Sequence, residues 1–229
     1  MGVDNGGRQA AATVGAVIGQ HQWPQRRLLV LVAAVLVAIS ALLAWRLHGS
    51  VGPTRIDERI ADRVIPRDAG GGFEDRKDLR RIVEFASPEV LVVGLLGLVA
   101  VALQHRDRRA AVVIIAGPAI AALLAELVLK PLVDRTTPGG SYSFPSGSAT
   151  GFAAACTAVV LVVYRLKREW TMPALVLGGA AAAAMGFAVV ALSWHYATDA
   201  LAGCAIGCAV VMLAAAVDGA VQSAHLERT

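Results

Sequence analysis

Six long apolar stretches, separated by shorter polar ones, dominate the hydropathy pattern of this 229-residue chain. They run over residues 28–47, 88–103, 110–129, 147–164, 172–192 and 200–217. A helix needs roughly 20 apolar residues to cross the hydrocarbon core of a bilayer. The pattern therefore predicts an all-α, polytopic membrane protein with six transmembrane helices in a bundle.

The longest polar stretch after the first span, residues 49–87, has a different composition. Between positions 55 and 84 it contains eight basic and eight acidic residues. Ile56, Ile60 and Val64 recur every four residues, which is typical of an amphipathic helix lying at the membrane surface. A solvated charged loop fits the charge pattern equally well, so both interpretations stay open.

The basic residues between the spans indicate the orientation of the bundle. Clusters of arginine and lysine precede the first span, join the second to the third, and join the fourth to the fifth. Because such clusters mark cytoplasmic loops, we expect both termini in the cytoplasm. A membrane domain over 25–217 is then flanked by a mobile tail, 1–24, and a second cytoplasmic tail, 218–229. The outer face carries three segments, 49–87, 130–146 and 193–199.

Composition supports this interpretation. Hydrophobic residues make up 56% of the chain and charged residues 17%, against about 25% charged in soluble domains. The net charge of +4 comes from the loop clusters, so it does not indicate a nucleic-acid partner. Cys156, Cys204 and Cys208 lie in apolar stretches and are expected to be small buried hydrophobic residues. The Ala/Val/Gly/Arg-rich composition hints at a GC-rich bacterial genome, and hence at the cell membrane.

Polar residues with catalytic potential lie in the two outer segments that follow the third and fifth spans. The first segment contains Lys130 and Arg135, and it runs into the fourth span through the turn Pro145-Ser146-Gly147-Ser148. The second contains His195 and Asp199. Cations and the free N–H groups of a helix start favour an anion. A carboxylate beside an imidazole steadies its tautomer, and an activated histidine can attack phosphorus.

Each of these residues also has a purely structural explanation. Lys130 at a helix end can extend to the interface and pair with Glu126, one turn earlier. Ser146 and Asp199 can cap the helices that follow them. Their combination on one face of the membrane is what favours an anion site.

The order Lys-Pro, then Pro-Ser-Gly, then His-x-x-x-Asp resembles the type 2 phosphatidic acid phosphatase family, which is related to the vanadium haloperoxidases, over about residues 85–217. The resemblance implies a six-helix bundle of that kind and a phosphatase that needs no metal or other cofactor. It implies His195 as the nucleophile that forms a phosphohistidine and Asp199 as the residue that orients it. The expected phosphate-binding residues are Lys130, Arg135, Ser146, Gly147 and Ser148.

Several positions differ from the family pattern. Thr137 stands where the first motif has arginine, and Ser148 stands where the second has the histidine that protonates the leaving oxygen. Ala188-Val189 replaces the Ser-Arg pair of the third motif. Arg135 is a candidate substitute for the missing arginine, and His48, at the outer end of the first span, for the missing histidine.

These residues favour an enzyme that hydrolyses a lipid phosphate or diphosphate, of the polyprenyl diphosphate or phosphatidate type, at the outer leaflet. The alternative is a catalytically impaired family member that binds an anionic lipid head group or a partner membrane protein, and the missing motif residues favour it. A third hypothesis is a small transporter or structural membrane subunit, in which Glu126, within the third span, acts as a relay.

Overall fold

The structure is a computed structural model that describes residues 24–65 and 77–226. The α-helices of the described residues are α1 (Arg26–Leu47), α2 (Arg55–Val64), α3 (Lys77–Glu84), α4 (Pro88–Gln104), α5 (Arg108–Leu123), α6 (Lys130–Val133), α7 (Gly147–Leu166), α8 (Thr171–Ala191) and α9 (Ala197–Leu226). A π-helical turn, Leu124–Leu129, connects α5 directly to α6.

The helices confirm the prediction of an all-α, polytopic membrane protein. Five helical segments of the described chain are long and apolar enough to cross a bilayer: α1, α5 continued through α6, α7, α8 with the turn before it, and α9. Helix α4 alone has 17 residues. Together with α3, from which it bends by 47°, it makes a sixth candidate span.

The ends of the chain differ in part from the predicted tails. Helix α9 continues to Leu226, so the start of the predicted tail 218–229 extends the last helix. Residues 1–23 of the predicted tail 1–24 lie outside the described part of the chain. Their predicted mobility and their cytoplasmic location therefore stay predictions.

Side-chain caps explain where several helices begin. Ser87 accepts a hydrogen bond from the N–H of Val90 at the start of α4, and Asp107 caps α5 in the same way. Helix α2 begins with a reciprocal capping box between Thr54 and Asp57. The four-residue apolar repeat thus forms a helix, as one of the two interpretations of that segment predicted.

Helix α9 lies at the centre of the bundle and packs against α7, α1 and α5. Two of its glycines allow the close approach to α7. A Cβ atom on Gly203 would lie 2.6 Å from the carbonyl oxygen of Ser146, and one on Gly207 would lie 2.3 Å from that of Thr150. Small residues four apart let helix backbones approach in lipid. This contact brings the start of α7 next to the start of α9, where the candidate residues lie.

Candidate functional site

A cleft of about 650 Å³ opens between α4, α5 and α7. Its walls are mainly apolar and include Leu91, Leu95, Ile115 and Pro118. The polar part of its lining lies towards one face of the bundle and consists of Glu126, Lys130, Ser148 and His195, beside Gly147. The volume lies in the usual range for small-molecule sites. An apolar cleft with a charged end fits an amphiphile with an anionic head group.

His195 lies in the turn between α8 and α9. The backbone N–H groups of Trp194 and His195 both donate to the carbonyl of Val189, and the ring Nδ1 lies 3.0 Å from the carbonyl oxygen of Ser143. A carbonyl only accepts, so Nδ1 carries the proton and Nε2 is left with its lone pair.

Burial is the main cause that lowers the pKa of His195 below its usual value. The hydrogen bond to Ser143 raises this pKa, the charge of Lys130 lowers it, and the charge of Glu126 raises it. The net direction favours a neutral ring, which is the form that can act as a nucleophile.

Lys130 is paired with Glu126 at the end of the cleft. Its Nζ atom lies 2.8 Å from Oε1 and 2.7 Å from Oε2 of that carboxylate. A Cβ atom on Gly147 would lie 2.5 Å from Oε1 of Glu126. The carboxylate therefore lies against the first residue of α7, where the free N–H groups of a helix favour an anion.

The position of Arg135 disagrees with the expectation that this residue binds phosphate. Its side chain is fully buried and does not line the cleft. One terminal nitrogen donates to Asp199 and to Thr198, the latter at 2.7 Å. The other donates to Asp57 at 2.8 Å and to the carbonyl of Gly52 at 3.0 Å. Because both terminal nitrogens are already bonded, Arg135 serves here as the centre of a buried ion cluster.

Asp57, on α2, completes this cluster. It also accepts hydrogen bonds from the backbone N–H of Thr198 at 2.9 Å and of Thr54 at 3.0 Å. Burial alone would raise the pKa of Asp57, but these hydrogen bonds and the one from Arg135 outweigh it and hold the pKa below its usual value. The polar segment after α1 is thereby attached to the bundle next to the cleft.

The expected contact between the carboxylate of Asp199 and the ring of His195 is not formed. One carboxylate oxygen accepts from Arg135, and the other accepts from the backbone N–H of Tyr196 at 3.2 Å. Its backbone carbonyl accepts from the N–H of Ser146 at 3.1 Å. Asp199 thus steadies the turn that carries the histidine, while a backbone carbonyl orients the ring itself.

The remaining predicted residues divide into two groups. Gly147 and Ser148 line the cleft. Ser146 is buried and caps α7 through a 3.4 Å hydrogen bond from the N–H of Ala149.

His48, the candidate substitute acid, follows the last residue of α1 and is not among the residues that line the cleft. The described residues include no group of three or more His, Cys, Asp or Glu side chains placed to hold a metal ion.

Three residues at or near the site were not among the predicted site residues. Ser143 contributes a backbone carbonyl, which every residue has, so no sequence signal distinguishes it. Asp57 is one of eight acids in its segment, and its spacing from Thr54 indicates a helix cap but not a contact with Arg135. Glu126 did carry a signal, because an acid inside an apolar span is rarely without a role.

Comparison with known proteins identifies the fold and the family of this chain. The profile of the PAP2 superfamily matches residues 83–222, which is more than half of the chain. A similar solved structure is the first transmembrane PAP2 type phosphatidylglycerolphosphate phosphatase from Bacillus subtilis, with a TM-score of 0.69 and 19% identity over 82% of this chain and 96% of that one. At this identity the likeness shows the fold. Comparison with curated proteins gives no match. The matched profile, which includes both Lys130 and His195, shows that the chain belongs to the PAP2 superfamily.

Proposed function

We propose that this protein is a membrane lipid phosphatase that hydrolyses a lipid phosphate or diphosphate, of the polyprenyl diphosphate or phosphatidate type, with His195 as its nucleophile. The observation that carries the proposal is that His195, Lys130 and the start of α7 line one end of an apolar cleft. The apolar walls suit the lipid chain, and the polar end suits its phosphate. Membership of the PAP2 superfamily supports the same activity.

The residues of the cleft divide the chemistry between them. Lys130 and the N–H groups at Gly147 and Ser148 hold the phosphoryl oxygens. Nε2 of His195 attacks phosphorus, while the carbonyl of Ser143 accepts a hydrogen bond from Nδ1–H and stabilises the positive ring of the phosphohistidine. Water then hydrolyses this intermediate and releases inorganic phosphate.

The loop charges support a location of this site on the outer face of the cell membrane. With both termini in the cytoplasm, the positive clusters before α1, α5 and α8 lie inside. The cleft then opens at the level of the outer leaflet, so its substrate is a lipid of that leaflet.

One observation favours a second candidate function, the binding of an anionic head group without turnover. Ser148 stands where the family pattern has the histidine that protonates the leaving oxygen. A head group held by Lys130 and by the start of α7 would then remain bound without being cleaved.

Phosphate release from polyprenyl diphosphate and from phosphatidate, measured with the purified protein in detergent, tests the proposal. We expect release by the wild type, loss of release in His195→Ala, and a strong reduction in Lys130→Ala. The matched control is His48→Ala, which removes another outer histidine that does not line the cleft. Equal background release by the wild type and by His195→Ala would refute the enzyme. Lipid binding that survives in His195→Ala but is lost in Lys130→Ala, without any turnover, would establish the binding function.

A further inference from the structure

Glu126 is the acidic residue among those that line the cleft, and the backbone around it is unusual. It belongs to the π-helical turn Leu124–Leu129, in which the N–H of Lys130 bonds to the carbonyl of Ala125, five residues earlier. Turns of this kind occur frequently at functional sites. An acid within an apolar span is costly unless it is paired or used. The local backbone and the choice of residue therefore both indicate a role.

The carboxylate lies among the groups proposed to hold the phosphate. Both of its oxygens contact Lys130 Nζ, at 2.7 and 2.8 Å, and Oε1 lies against Gly147. The charges of Glu126 and Lys130 both act on the ring of His195. A phosphoryl group bound by Lys130 and attacked by His195 is therefore within reach of this carboxyl group.

The reaction needs a proton donor that the rest of the cleft does not supply. A lipid alcohol leaves poorly as an alkoxide, so its oxygen has to be protonated as the P–O bond breaks. His195 is committed as the nucleophile, Lys130 holds the anion, and the hydroxyl of Ser148 is a very weak acid. A carboxylic acid is a common donor for this purpose in enzymes.

We infer that Glu126 is a catalytic residue, the general acid that protonates the leaving oxygen of the lipid. This inference rests on the proposed function. In the resting protein the carboxylate pairs with Lys130. A phosphate that binds Lys130 brings a second anion beside the carboxylate, and two adjacent anions share a proton more readily than both remain charged. The shared proton comes from solvent or from the monoanionic phosphate itself.

The two steps then balance. In the first, Nε2 of His195 forms a bond to phosphorus, the P–O bond to the lipid breaks, and the proton of Glu126 goes to the departing oxygen. In the second, a water molecule loses a proton to Glu126 as its oxygen attacks phosphorus, and the N–P electron pair returns to His195. The products are the lipid alcohol and inorganic phosphate, and the carboxyl group is again protonated.

The dependence on the leaving group separates an acid from a structural residue. Phosphatidate releases an alcohol and needs the proton, whereas 4-nitrophenyl phosphate releases a stable phenolate and does not. We expect Glu126→Gln to lower kcat with phosphatidate by about 10²- to 10⁴-fold, the usual contribution of a general acid. With 4-nitrophenyl phosphate the same variant should lose less than about tenfold.

The control is Glu89→Gln, which removes an exposed carboxylate from the first turn of α4. It should retain phosphatidate turnover within about tenfold of the wild type, because Glu89 does not line the cleft and is not the proton donor. An equal loss on the two substrates in Glu126→Gln, or no loss on either, would overturn the role of Glu126 while leaving the phosphatase intact. No turnover of either substrate by the wild type would remove the proposed function together with this inference.

Discussion

The buried ion cluster around Arg135 leads to a prediction about the free energy of unfolding. The charge left in the cluster, and not the number of hydrogen bonds lost, should decide which substitution destabilises the protein more. One guanidinium serves two buried carboxylates, those of Asp57 and Asp199, and its face also lies 4.6 Å from the centre of the Tyr196 ring. Its side chain is 0% exposed, and the two carboxylate side chains are 1% and 0% exposed. Substitution of the arginine by methionine, which preserves much of the volume, leaves two buried negative charges with no cation.

Removal of one partner of a buried ion pair costs about 3–5 kcal/mol. For Arg135→Met we expect the upper end, about 5 kcal/mol, because both carboxylates lose their counter-ion. For Asp57→Asn we expect the lower end, about 3 kcal/mol, because the pair of Arg135 with Asp199 remains and is neutral overall. At roughly 2–4 °C per kcal/mol for a chain of this size, the expected decreases in Tm are about 10–20 °C and about 6–12 °C.

The assay is thermal unfolding of the purified protein in one detergent, with Arg59→Met as the control. Arg59 is an exposed residue of α2, the helix that carries Asp57, so its substitution should change the free energy of unfolding by less than about 0.5 kcal/mol. An Arg135→Met protein as stable as this control would refute the assignment of Arg135 to a buried ion cluster. A larger decrease in Asp57→Asn than in Arg135→Met would refute the charge argument.

Three further predictions concern pH, packing and topology. Burial and the charge of Lys130 lower the pKa of His195, so its neutral form persists below pH 6.5. The acid limb of the pH profile of kcat/KM should therefore lie below that value, and a limb above it would contradict a neutral nucleophile. Gly207→Ala should cost about 1–3 kcal/mol, because its Cβ would lie 2.3 Å from a carbonyl oxygen of α7, whereas Gly179→Ala, with nothing within 4 Å of its Cβ, should leave the Tm unchanged; equal Tm values for the two would contradict the close contact. In intact cells a membrane-impermeant thiol reagent should label Ser141→Cys, in the proposed outer segment, above the wild-type background. It should not label Lys167→Cys, in the proposed cytoplasmic loop, and the reverse pattern would contradict the proposed orientation.

Much of the fold follows from local sequence features. Apolar stretches of span length, with basic clusters between them, predict a helical membrane protein because the bilayer requires every backbone polar group to be bonded within its own helix. Ser87 and Asp107 cap helices as their positions indicate. The order of the motif residues was enough to indicate the family. These features are readable because each depends on neighbours within a few residues along the chain.

The division of work within the site was decided by tertiary structure. Arg135 and Asp57 are 78 residues apart in the chain, and nothing local shows that the arginine is used for a buried cluster instead of the phosphate. His195 is oriented by the carbonyl of Ser143, a group that all residues share, and not by the carboxylate four positions later. Sequence patterns report the chemistry that each side chain can perform. Which partner it meets depends on packing between distant helices, here set by the backbone contact of α9 with α7, and that packing has no local signature.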